Sequence, residues 1–178
     1  NLGVLLQAKG DLAAAEPLIR EALEVQRETL GDRHPDTLNS IHNLGMLMQT
    51  KGDLAAAEPL SREALEGRRE TLGNRHPDTL ISISNFGMLL QAKGDLTAAE
   101  PLLCQTLGVS RKTLGNRHPD TLDSISNLGG LLLDKGDLAA AEPLFREALE
   151  VLRRETLGKR HPDTLNSINN LGVLLLAK

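Results

Sequence analysis

The sequence predicts an all-α fold, a solenoid of antiparallel helix pairs, and three observations carry that prediction. The first is a strict internal period. Gly-Asp-Leu begins at Gly10, Gly52, Gly94 and Gly136, and His-Pro-Asp-Thr-Leu at His34, His76, His118 and His161. The second is apolar spacing at 3.6 residues inside each period, as in Leu38, Ile41, Leu44 and Met48, which marks one face of a helix. The third is punctuation, because glycines and prolines fall at the same offsets in every copy and set where helices start and stop. Residues 1–42 and 43–84 agree at 33 of 42 positions, so the period reflects a repeated structural unit.

Each repeat reads as a helix A followed by a helix B. Pro35 stands where a first-turn proline is tolerated, and Asp36 beside it suits the positive end of the helix dipole. Gly52 closes helix A as a C′ glycine, and Asp53 is placed to cap helix B. Helix B carries Leu54, Ala57, Ala64 and Leu65 inward and Arg62, Glu63, Glu66 and Arg69 outward, until Gly73 ends it. Neither helix can bury its stripe alone, so repeats must stack on one another.

The repeats run in order as a partial copy at 1–33, full copies at 34–75, 76–117 and 118–160, and a first helix at 161–178. Together, 1–178 is expected to be a single array. Pro17, Pro59, Pro101 and Pro143 lie inside each helix B, where a kink or a local widening is expected. The last period is 43 residues instead of 42, owing to one residue inserted near Arg153 and Arg154. An extra residue turns the following helix by about 100° unless a π-bulge absorbs it. A bulge or looser turn between Glu150 and Gly158 is therefore expected, with the last helix docked as in the other repeats.

Composition narrows the function. Twenty Lys and Arg against 24 Asp and Glu give a formal charge of −4, which is no footprint for nucleic acid or an anionic membrane. Phe86 and Phe145 are the whole aromatic content, too little for a base-stacking platform. One cysteine, Cys104, cannot close an intramolecular disulfide, which points to a reducing compartment and a cytoplasmic location. No apolar run reaches the roughly 20 residues of a membrane span.

The pairing of Leu44-Gly45, Gly52, Ala57 and Ala64 at these offsets resembles the tetratricopeptide repeat. The 42-residue period, the Ala-Glu-Pro-Leu motif and the Leu-Gly…His-Pro-Asp turn are similar to the kinesin light chain variety, although Leu or Met stands where that variety often has tyrosine in helix A. The resemblance implies a right-handed superhelical solenoid with helix A lining its concave groove, and small residues that let helices A and B approach closely. Asn1 aligns inside a helix A and Lys178 at the end of another, without polar capping elements, so a segment of a longer array is expected, with flanking repeats or domains of the same chain.

Asn43, Asn85, Asn127 and Asn170 recur at one helix A position, although asparagine is a mediocre helix former. On a helical wheel Asn43 lies opposite the Ile41–Leu44–Met48 stripe. An amide offers both a donor and an acceptor, so the asparagines can hold a peptide backbone, as similar ladders do in related arrays, or bond across to a neighbouring helix. Beside them Asn39, His42, Met46 and Gln49, then Met88 and Gln91, then Asp123 and Asp134 would set specificity. Asp123 and Asp134 suggest a basic partner side chain. The helix A faces lack the Lys and Arg with which chaperone-binding members clamp a C-terminal carboxylate.

His42 otherwise reads as a solvated residue, and Cys104, in place of an outward Arg20, Arg62 or Arg146, as an ordinary thiol. Metal binding by the histidines of the repeated motif fails on spacing, since packed helices lie about 8–10 Å apart. No phosphate loop, nucleophile motif or cofactor signature stands outside the repeats. The expected function is therefore a non-enzymatic protein–protein interaction scaffold that binds an extended peptide or partner segment in the concave groove. The alternatives are a structural or assembly segment of a larger complex, or the sensor arm of a multidomain signalling ATPase.

Overall fold

A computed structural model of the chain describes residues 12–153 and 162–177, with only the backbone described at 162–164. Among the described residues there are eight helices and no strand. They are α1 (Leu12–Leu30), α2 (Pro35–Thr50), α3 (Leu54–Leu72), α4 (Pro77–Ala92), α5 (Leu96–Thr113), α6 (Pro119–Asp134), α7 (Leu138–Val151) and α8 (Pro162–Leu176). Even-numbered helices are the A helices and odd-numbered ones the B helices. Packing divides the chain into two compact units, Asn1–Lys93 and Gly94–Lys178.

The punctuation acts as the sequence predicts. Lys51 caps α2 and Gly52 follows at φ +81. The Gly52 N–H then donates to the Gln49 carbonyl at 2.9 Å and the Asp53 N–H to Met48 at 2.9 Å, the paired bonds of a Schellman ending. The Asp53 carboxylate accepts from the Ala56 N–H at 3.0 Å and opens α3. The starts of α2, α4 and α6 hold one unforeseen device. His34, His76 and His118 are themselves the N-caps, and each Nδ1 accepts the N–H of the following aspartate at 3.2 Å. The repeated histidine thus serves helix initiation.

In the N-terminal unit α2 packs on α3, and Leu38, Ile41, Leu44, Leu47 and Met48 of the one and Ala57, Ala64 and Leu65 of the other are buried. Close approach depends on Gly45, where an added Cβ would lie 3.1 Å from Ser61 Oγ. In the C-terminal unit Gly129 of α6 faces the buried Phe145 of α7, and a Cβ there would come 2.6 Å from the ring. The small residues therefore set the helix spacing, as the resemblance implied.

The glutamates of the first three Ala-Glu-Pro-Leu motifs tie a B helix to the end of the next A helix. Glu16 accepts from Lys51, Glu58 from Lys93 and Glu100 from Lys135. Arg20 and Arg62, one turn along, reach Glu16 and Glu58 at 2.8 Å. The hydrogen bonds from lysine, and then from arginine, hold both carboxyls below the usual carboxylate range. A second ladder joins successive B helices through Arg27–Glu63 at 2.7 Å and Arg111–Glu147 at 2.6 Å.

The B helices run through Pro17, Pro59, Pro101 and Pro143 without a break, as continuous α-helix. Burial of the stripe on both sides of each proline offsets the one lost helical bond. At the inserted residue the helix does loosen. Regular α7 ends at Val151, and Leu152 and Arg153 continue in π geometry, as the one-residue excess requires. Residues 154–158 of that expectation lie outside the described residues. Beyond them α8 packs on α7 and buries Ser167 and Leu174, as α6 buries Ser124 and Leu131.

The glycine contacts generate a paired test. Gly129→Ala must displace a buried ring and is expected to destabilise the chain by about 1–3 kcal/mol. Gly130→Ala, whose Cβ meets nothing within 4 Å, is expected to stabilise α6 by up to about 1 kcal/mol. Urea unfolding of the two variants beside the parent chain measures both signs.

Candidate peptide-binding face

The residues that α2 leaves outside its stripe form one face. Asn39 is exposed, and His42, Asn43, Met46 and Gln49 are half-buried. On α4 the equivalent face holds Asn85, Met88 and Gln91, all half-buried, beside buried Ser82. In the C-terminal unit Asn127 is half-buried on α6 with Asp123 and Asp134 exposed, and Asn170 is half-buried on α8. The sequence-derived candidates thus lie off the core on their A helices.

Within the N-terminal unit the structure draws several of them into one polar cluster. Asn85 Nδ2 lies 3.4 Å from His42 Nε2, which links α4 to α2. This realises, at one pair, the alternative in which the amide bonds to a neighbouring helix, although 3.4 Å is long for such a bond. Asn43 has no hydrogen-bond partner among the described residues.

The centre of the cluster is a residue that the sequence reading passed over. Arg68 of α3 is only 5% exposed. Its Nη1 donates to the Asp78 carbonyl at 3.1 Å and to Ser82 Oγ at 2.7 Å, and its Nη2 donates to Asn39 Oδ1 at 2.6 Å. One guanidinium therefore binds α2, α3 and α4 together. A signal was available, because residue 68 continues the inward series of Ala57, Ala64 and Leu65 at helical spacing. The equivalent positions hold Gln26, Ser110 and Leu152. A charge on a buried stripe, at a position that varies among near-identical repeats, marks a special role.

Electrostatics follow from this burial. His42 is not the solvated residue expected, because desolvation, with the Arg68 charge second, pushes its pKa down to about 4. A neutral ring leaves Nε2 able to accept from Asn85. Arg68 is itself shifted below its ordinary value by desolvation. On α5, burial and then Glu100 push the Cys104 thiol up, opposite to the shift an activated nucleophile needs.

The chain is similar to the tetratricopeptide repeat family model at residues 1–70, 40–112, 78–154 and 120–178. A crystal structure from Podosopora anserina, described as a kinesin light chain with nearly identical TPR-like repeats, superposes at a TM-score of 0.86 with 28% identity, over 99% of this chain and 83% of that one. A variant of it gives 0.87, 27%, 99% and 82%. BtubC (BKLC) from P. vanneervenii gives 0.85 with 25% identity, over 99% of this chain and 70% of that one. No curated protein matches the chain. The likeness covers both units and supports the solenoid class predicted from the period. No helix among the described residues is long and apolar enough to cross a membrane.

The depressed His42 pKa has a consequence for stability. The unfolded ring takes up a proton near pH 6.5 and the folded one only near about 4. Stability is thus full above the unfolded value and is lost as pH falls through this window. At about 1.4 kcal/mol per pH unit the loss is roughly 3 kcal/mol. Replacing His42 by Ser, as at positions 84 and 126, is expected to remove this component. Urea unfolding at pH 7 and pH 4, for parent and variant, measures the difference.

Proposed function

The chain belongs to the tetratricopeptide repeat family, and from that premise we propose that it is a scaffold for protein–protein interaction that holds an extended peptide or partner segment in a groove lined by helix A residues. Repeats of this family generally mediate interaction between proteins. The supporting observation is the half-buried Asn43, which stands on α2 outside the core stripe with no hydrogen-bond partner among the described residues. Its amide keeps both a donor and an acceptor for a peptide bond. Met46 and Met88 flank the asparagines with unbranched, polarisable side chains that adapt to varied apolar partners.

A charge of −4 and two aromatics favour a protein partner over nucleic acid. A lone cysteine with an unactivated thiol favours the cytoplasm and a role without catalysis.

A second reading is a structural or assembly segment of a larger complex, with the amides spent inside the scaffold. The supporting observation is Asn85, whose Nδ2 lies 3.4 Å from His42 Nε2 on the neighbouring helix A.

The two readings separate on the asparagines. Replacing Asn43, Asn85 and Asn127 together by Ala is expected to weaken binding of a peptide selected from a random library by about tenfold or more. Helicity and melting temperature should stay near those of the parent chain. Unchanged peptide affinity, or loss of folding, would assign these amides to the scaffold itself.

A further inference from the structure

The repeats are alike enough that one B helix could take another's place. Residues 1–42 and 43–84 agree at 33 of 42 positions, and misassembly between like elements is a characteristic failure of repeat arrays. The α2–α3 hairpin departs from the others at two adjacent positions of its B helix. Gly67-Arg68 stands where the other copies have Val25-Gln26, Val109-Ser110 and Val151-Leu152. Both residues are buried, and they meet the consecutive pair Leu38-Asn39 of α2.

Each half of that contact disfavours the other B helices. A Cβ on residue 67 would lie 2.3 Å from Leu38 Cδ2. The valine that any other B helix brings must therefore displace Leu38, itself only 1% exposed. Arg68 donates to Asn39 of α2 at 2.6 Å and to Ser82 and the Asp78 carbonyl of α4 at 2.7 and 3.1 Å. The Asp78 carboxylate favours the charged guanidinium. Serine and leucine cannot make this span, and glutamine has one donor nitrogen and no charge. Ile81, the counterpart of Asn39 on α4, has no acceptor, so the contact is strongest against a slip by one repeat. The packing itself does not require the arginine. In the C-terminal unit, where Ser110 takes its position, the Ser124 hydroxyl turns back to the Asp120 carbonyl of its own helix at 2.7 Å. The same turn is open to Ser82, and Asn39 is exposed to water. Loss of Arg68 thus strands no buried polar group.

We infer that Gly67-Arg68 on α3 and Leu38-Asn39 on α2 form a register key, a contact that admits α3 to its own place in the N-terminal unit and turns away the other B helices of the same chain or of a second copy. A buried charge held by several directed bonds suits this task, because a wrong partner leaves it desolvated and unbonded. The key does not depend on what the groove binds. It acts against pairing between unlike helices, whereas an exchange of α3 for α3 between two copies satisfies it. A slipped join between copies leaves helices unpaired at its ends, so it does not close and grows into larger species.

The test refolds the whole chain from urea at high concentration and weighs the products by light scattering after dilution. The parent is compared with Arg68→Leu, with Asn39→Ile, and with the pair Gly67→Val and Arg68→Ser, which copies Val109-Ser110. Gly129→Ala, destabilised outside the key, is the control. Each key variant is expected to yield about fivefold or more of the helical species heavier than two chains that the parent yields. Gly129→Ala is expected to yield no more than the parent. Arg68→Leu is expected to unfold at the parent's urea midpoint or above it, which separates loss of register from loss of stability. Larger species at the parent's level in both Arg68→Leu and the copied pair, or as many in Gly129→Ala, would overturn the key. Failure of both Arg68 variants to fold would do the same, since it would make the arginine a requirement of packing.

Discussion

Leu38, Ile41, Leu44 and Met48 leave water because α3 comes close enough to cover them, and α3 comes close because Gly45 has no side chain to hold it off. The rest of the N-terminal unit is built on this hairpin contact, and Gly129 against Phe145 gives the C-terminal unit its own. Helices of 16 and 19 residues with one apolar stripe each do not persist alone. Once paired, they leave the rest of helix B's stripe to be covered by the next A helix, and the Thr79 hydroxyl, buried on α4, donates to the Arg68 carbonyl across that second interface. The small residues thus set a spacing, and the spacing sets which side chains are core and which are available.

The constant polar residues serve the same contact from outside. Glu58 with Lys93 and Arg62 fixes where the end of α4 meets the middle of α3, and Arg62 also lies 5.0 Å from the Phe86 ring centroid. Exposed pairs of this kind contribute little stability one at a time. Their value is register, because a helix slid by one turn would lose the lysine pair and the ring contact together. The proline next to Glu58 is tolerated in this setting, since both ends of its helix are held.

Much of this was legible in the sequence, and the limits have physical causes. Periods, caps and stripes depend on local spacing, so Gly52, Asp53 and the stripe of α2 could be placed from residue order alone. The extra residue near Arg153 was legible for the same reason, since 43 does not fit a 42-residue lattice, and the helix turns to π geometry at Leu152 and Arg153. His42 was misjudged because local sequence does not show its burial, nor the charge of Arg68, 26 positions away on another helix. Arg68 itself was hidden by its type, as arginine on a mostly charged helix is assigned outward unless its phase is counted.

That last case shows how a repeated fold carries different chemistry in each copy. Position 68 and its equivalents lie on the inward face of helix B, toward the A helices, and hold Gln, Arg, Ser and Leu in turn. Each is supported by the same backbone, so a change there alters the polarity of the helix A face without moving the hairpin. Ser110 is buried with no charge to present, and Leu152 is buried and apolar, where Arg68 orients an amide. Stability resides in the positions that never vary, such as Ala57, Ala99 and Ala141, each fully buried. Recognition can then be tuned one repeat at a time, because the residues that tune it lie beside the stripe and carry little of its packing.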